Sequence, residues 1–166
     1  MQLSNVDENP PNKECSDLFT AEEQWKCLFI EFNYATIKNP IFFVESSYDQ
    51  FIIMAVYQFK CLTEGVSGYT LKECADWQVE AIELYRDFYL ERFVPKLLKY
   101  GHSIWSISCS WHAKLFDSNI YDSDLQKVPK EQGRTMRNAT EAFVFENKRI
   151  EAIDLFAWPA NTPCAY

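Results

Sequence analysis

The 166-residue chain has only two histidines, and one of them, His112, closes a run shaped like a buried strand. The stretch Gly101–His112, GHSIWSISCSWH, opens on a glycine that stops whatever precedes it. It then alternates, with Ile104, Ser106 and Ser108 on one side and Trp105, Ile107 and Cys109 on the other. That pattern suits a pleated, largely buried strand. An imidazole just past such a strand is held by a rigid scaffold while its ring reaches into a cleft, as a proton-transferring base requires. The competing reading is a partly buried histidine that satisfies a backbone carbonyl. A second candidate follows Asn39-Pro40, where Ile41–Val44 forms a continuous apolar run ending in Ser46-Ser47-Tyr48-Asp49. Such a run suits a strand buried on both faces, as in a parallel sheet flanked by helices. An acid beyond the carboxyl end of that strand sits where α/β folds gather catalytic groups. Asp49 is equally a helix N-cap for a helix over 49–60, and the two roles are compatible.

The remaining elements must bring these two residues together. Residues 1–20 are polar, carry Pro10-Pro11, and read as an irregular arm tied down at Cys15. Thr20 with Glu22 and Glu23 predicts a short helix over 21–35. Cys61 and Cys74 enclose a turn-rich loop containing Gly65 and Gly68, and a Cys61–Cys74 disulfide would close it. The clearest helix covers 75–99, with Trp77, Ala81, Leu84, Tyr85, Phe88, Phe93 and Leu97 near one stripe read as core, and Pro95 ending or kinking it. Residues 113–133 read as a polar loop, 134–147 as a final helix, and the tail as a surface wrap pinned by Cys164. Strand–helix–long helix–strand–helix is an α/β pattern.

Composition narrows the function classes. Hydrophobic residues make up 48% and aromatic ones 16%, which excludes a disordered tail. A net charge of −8 argues against a nucleic-acid partner, which needs a basic face. No apolar run is long enough to span a bilayer. The six dispersed cysteines form no C-x-x-C pair, so neither a metal site nor a cofactor is indicated, and disulfides in an oxidising compartment fit better. Asn138-Ala139-Thr140 is an acceptor sequon for N-glycosylation, with Asn138 the candidate. The first residues lack an apolar signal core, so a secreted product implies that this chain is not a whole gene product or that Met1 is not the natural start.

Several of these features occur together in one known family. Ile41–Asp49 followed by Gln50, then Leu71-Lys72-Glu73-Cys74 leading into a long helix, then Ser108-Cys109-Ser110-Trp111-His112, and a tail running from Ile153-Asp154 through Trp158-Pro159 to Pro163-Cys164, resemble the pectinacetylesterase/Notum family of secreted carboxylesterases. The resemblance covers about 25–164, nearly the whole chain. It implies an α/β-hydrolase-like fold, of which residues 21–164 form the C-terminal portion of a mainly parallel sheet flanked by helices, as one domain or half-domain. It implies that Asp49 and His112 are the acid and base of a Ser…Asp…His triad. It implies an O-acylated polysaccharide or a lipidated protein as substrate and a secretory or extracellular location. Within the tail pattern it suggests a Cys109–Cys164 disulfide.

The departures are as informative. The family's serine sits on a Gly-x-Ser-x-Gly elbow upstream of the aspartate. The nearest imitation, Gly65-Val66-Ser67-Gly68, has the wrong spacing and lies downstream of Asp49. Ser46 and Ser47 are too close to Asp49 in the chain to be its triad partner. Phe156 and Asn161 stand near positions where the family carries cysteine. Three readings follow: a carboxylic-ester hydrolase fragment inactive alone, whose serine comes from a separate chain or segment; a catalytically dead relative serving as a binding or structural subunit of a larger assembly; or a small structural domain unrelated to hydrolases.

Overall fold

A computed structural model of the chain describes residues 12–65, 68–112, 121, 127–129 and 133–160. The chain divides into two compact units, Met1–Pro40 and Ile41–Tyr166. In the first unit, Asn12 caps a single helical turn, α1 (Lys13–Ser16), by accepting the Cys15 N–H at 3.2 Å. A 3₁₀ segment, Ala21–Leu28, leads to α2 (Ile30–Asn33) and a further 3₁₀ turn, Tyr34–Thr36. The helix predicted over 21–35 is thus broken into short pieces. A disulfide between Cys15 and Cys27 staples α1 to the 3₁₀ segment.

The second unit holds a three-stranded parallel sheet in the order β1 (Phe42–Ser46), β4 (Ser103–Ile107), β5 (Glu151–Ile153). With helices packed on the sheet, the fold class is α/β. The predicted apolar and alternating runs supply β1 and β4. The third strand was not expected: residues 151–153, of which Ile153 opens the tail read as a surface wrap, add to the edge of β4 in parallel register, with Trp105 opposite Ala152. β4 is buried throughout because each face of the sheet is covered. On one face Trp105, Ile107 and Cys109 pack with Val128 and with Met136, Ala139 and Ala142 of α5 (Met136–Val144), while Phe42 stacks on Phe143 at 5.3 Å. On the other face Phe43 meets Phe93 edge-on at 6.2 Å, and the Tyr89 hydroxyl lies 3.0 Å from Ser106 Oγ.

The long helical stretch that covers this second face is continuous but changes register. α3 (Asp76–Phe88) passes into a π-helical turn, Tyr89–Phe93, and then into α4 (Val94–Lys99). Pro95 has no N–H, and in an α-helix its ring would collide with the Glu91 carbonyl. The chain avoids that clash by bonding the Val94 N–H to the Tyr89 carbonyl, one residue further back than in an α-helix. An extra residue in one turn rotates the downstream faces by about 100°. One stripe of period 3.6 therefore cannot stay on the sheet side along the whole stretch. Leu97 is buried and Phe93 and Tyr85 half-buried, as predicted, but Trp77, Leu84 and Phe88 of the predicted core stripe are 63–65% exposed. Ile82 and Arg86 take their place inside.

Gly101 ends α4 with a φ of +84°. The His102 N–H bonds the Leu97 carbonyl and the Gly101 N–H bonds that of Leu98, the paired termination that a left-handed glycine permits. Cys61 and Cys74, whose spacing predicts their pairing, are disulfide-bonded. The loop between them contains a small hairpin, β2 (Thr63–Gly65) and β3 (Gly68–Thr70), which the turn-rich sequence did not signal.

Candidate active site

Parallel pairing places the carboxyl ends of β1 and β4 at the same edge of the sheet, and backbone bonds continue the alignment beyond both strands. The Ser47 N–H bonds the Ile107 carbonyl at 2.9 Å, and the Gln50 N–H bonds the Trp111 carbonyl at 3.1 Å. The Ser46 hydroxyl donates to the Cys109 carbonyl. These contacts set Asp49 beside His112. Asp49 Oδ1 and Oδ2 lie 3.1 and 3.2 Å from His112 Nδ1. Asp49 also caps the helical segment that follows, accepting the Phe51 N–H at 2.6 Å through its side chain and the Ile53 N–H at 3.1 Å through its carbonyl. The segment begins as predicted near Gln50, then runs as a π-helical turn, Ile52–Val56. One carboxylate therefore both caps the helical segment and faces the imidazole.

The imidazole is oriented on two sides. Nδ1 faces the carboxylate, and the Phe51 ring stacks on it with centroids 5.2 Å apart and planes 27° apart. The side chain of His112 remains 47% accessible against 14% for Asp49, so the acid is enclosed and the base reaches outward. A carboxylate only accepts, so Nδ1 carries the hydrogen and Nε2 presents its lone pair. Among the described residues Nε2 has no hydrogen-bond partner. The other histidine, His102, is buried and accepts the Ile41 N–H at 3.3 Å, a structural use.

Sequence reasoning passed over one residue of this sheet. Glu45 stands on β1 opposite Ser106, on the face that the π-helical turn meets through Tyr89 and Phe93. Burial first, then the charge of Asp49, pushes its carboxyl up to about 7, with His112 opposing the shift. Tyr85 and Tyr89 above it are held above the ordinary phenol range, chiefly by burial. The signal was present in the sequence: a lone acid directly after the apolar run Ile41–Val44 and still within the strand.

A second polar group anchors the residue before Asp49. The buried Tyr48 hydroxyl donates to Glu83 Oε1 at 2.6 Å and accepts the Trp158 N–H at 2.7 Å. Arg86 approaches Glu83 at 3.8 Å and bonds Asp87 at 2.9 Å and the Leu155 carbonyl. Asp154, just past β5, is buried and accepts from Ser108 Oγ at 2.7 Å and the Phe156 N–H at 3.1 Å. A cavity of about 510 Å³ opens elsewhere, between Leu71, Val79 and Trp158, and neither Asp49 nor His112 lines it.

The remaining predicted positions fall as follows. The Ser46 and Ser47 hydroxyls are buried and donate to β4-side carbonyls, so neither is a nucleophile for His112. Cys109 is disulfide-bonded, and its expected partner Cys164 lies outside the described residues. Asn138 is exposed in the first turn of α5, where its N–H is capped by Thr135 Oγ1 at 3.1 Å. Ser67, of the glycine-flanked imitation elbow, also lies outside the described residues.

A family model described as pectinacetylesterase matches residues 1–165. Pectin acetylesterase 11 of Arabidopsis thaliana is 22% identical over 142 residues, covering 83% of this chain and 36% of that relative. The chain thus spans about a third of the length of the curated relative it matches. No solved structure gives a significant match.

Proposed function

The chain belongs to the pectinacetylesterase family, and from that premise we propose that it carries the acid–base part of a Ser-His-Asp carboxylic-ester hydrolase. The observation that carries this reading is the approach of His112 Nδ1 to the Asp49 carboxylate at 3.1 Å on neighbouring strand ends. In the proposed reaction Nε2 of His112 takes the proton of a serine hydroxyl as its oxygen attacks the acyl carbon. Asp49 holds the imidazole in the reactive tautomer and stabilises the imidazolium, which then returns the proton to the departing alkoxide. The 166 residues contain no Gly-x-Ser-x-Gly segment, and the reading assigns the nucleophile to polypeptide outside them. The substrate class is an O-acyl ester of a polysaccharide or of a lipidated protein, and the name of the relative favours an acetyl group on pectin. The two described disulfides support an oxidising, secretory compartment. Among the described residues no helix is long and apolar enough to cross a membrane.

The chain alone is expected to hydrolyse p-nitrophenyl acetate no faster than buffer, since loss of one triad member costs about 10⁴-fold or more. Turnover by the isolated chain that His112→Ala abolishes would show that the nucleophile is already present. Fusion of the chain to a segment carrying the family's serine elbow tests the pair itself. Activity in that fusion should fall by about 10³-fold or more in His112→Ala, and activity that survives the substitution would remove His112 from the reaction.

A further inference from the structure

One motif of the chain has no part in the acid–base chemistry. Asn138-Ala139-Thr140 is the only Asn-x-Ser/Thr run in the 166 residues. We propose that Asn138 carries an N-linked oligosaccharide, received from a lipid-linked oligosaccharide pyrophosphate in the lumen of the secretory pathway. In the transfer the Asn138 side-chain nitrogen attacks the first sugar at C1. The Nδ2–C1 bond forms, the C1–O bond to pyrophosphate breaks, one amide proton passes to solvent, and the lipid pyrophosphate leaves.

Placement carries the argument. A branched sugar is bulky and polar, so its asparagine must stay in solvent once the chain has folded. Asn138 is the third residue of α5 and is exposed. The residues that hold α5 to the sheet are Met136, Ala139 and Ala142, all buried in the core around Trp105. The outward side, formed by Arg137, Asn138, Glu141 and Val144, is exposed along the length of the helix. The middle residue of the motif therefore anchors the helix while the acceptor faces away from it.

The ordinary uses of an asparagine near a helix start are already filled. Such a residue usually caps backbone N–H groups, but Thr135 caps α5, accepting the Asn138 N–H itself through Oγ1 at 3.1 Å. Among the described residues the Asn138 side-chain amide has no hydrogen-bond partner. Asparagine is also a poorer helix former than alanine, so α5 gains nothing from this side chain. The Thr140 hydroxyl donates to the Met136 carbonyl at 2.8 Å. It is thus engaged once α5 has formed, which puts sugar transfer before the helix closes and makes the room left on its outward side the condition for folding afterwards. The compartment agrees: the Cys15–Cys27 and Cys61–Cys74 bonds form in the same oxidising lumen. The inference uses no step of the proposed hydrolysis, and its test reads no turnover.

The test is production of the 166-residue chain behind a cleavable signal sequence in a eukaryotic secretory host, with peptide mapping of the lumenal and secreted protein together. Peptide N-glycosidase should convert the chain to a single lighter band and leave aspartate in place of Asn138 in most molecules. Asn138→Gln and Thr140→Ala should each lose the heavier band, and Thr140→Ser should keep it. Removing the sugar from the native, disulfide-intact protein should leave the urea midpoint where it was or lower it. A midpoint that rises on removal would mean that the sugar presses on the fold, against the outward placement argued above. Unmodified Asn138 in most wild-type molecules overturns the proposal. The modification is read in the unaltered chain, so a variant that fails to fold does not remove the test.

Discussion

Replacing Glu45 by glutamine should change how the stability of the second unit depends on pH. The carboxyl rises from 4.5 in the unfolded chain to about 7 in the fold, so the folded state holds a proton that the unfolded state has released between those limits. Its contribution is therefore fully present below about pH 4.5 and is lost as pH rises through about 7, where the fold must carry a half-buried charge. At about 1.36 kcal/mol per pH unit the loss is on the order of 3 kcal/mol. Glutamine keeps the shape and stays neutral throughout. Urea unfolding, followed by tryptophan fluorescence with the disulfides intact, should give wild type and Glu45→Gln equal stabilities within about 1 kcal/mol near pH 4.5. Near pH 8.5 the variant should be the more stable by about 2–3 kcal/mol. The difference between the two proteins, not either curve alone, is the quantity to read, because the other titrating groups largely cancel in it. A difference that stays flat between those pH values, or a variant less stable at the alkaline end, would refute a raised, partly desolvated carboxyl at this position.

Tyr48→Phe should cost about 1–3 kcal/mol in the same assay, because it leaves Glu83 and the Trp158 N–H without the hydroxyl that joins them; a loss below about 0.5 kcal/mol would mean that water replaces the phenol at no cost. Replacing both Cys61 and Cys74 by serine should lower stability by about 3 kcal/mol, the chain-entropy figure for a loop with a sequence separation of 13. An unchanged urea midpoint would show that the hairpin β2–β3 holds the loop closed without the bond.

The two residues that carry the proposed chemistry were legible because each follows a strand whose residue types admit few other structures. Ile41–Val44 is apolar on both faces, and GHSIWSISCSWH alternates around small hydroxyl residues that fit under helices. Capping chemistry and strand polarity then place Asp49 and His112 at strand ends whatever the rest of the chain does. The loop length between Cys61 and Cys74 likewise signals their bond before any fold is known.

Other features depended on contacts between distant residues. β5 has only three residues, too few for a periodic signal, and is a strand because β4 offers it an edge. The helix over 75–99 reads as one amphipathic stripe, but Pro95 forces a π-helical turn and so turns Trp77, Leu84 and Phe88 away from the side that buries Leu97. Local sequence thus determined which segments extend, where they stop, and which acid and which imidazole stand at the stops. Tertiary structure alone decided that these two meet at 3.1 Å and that Glu45 stands opposite Ser106. Parallel register and the face covered by a helix are properties of packed pairs, and no single stretch of chain contains them.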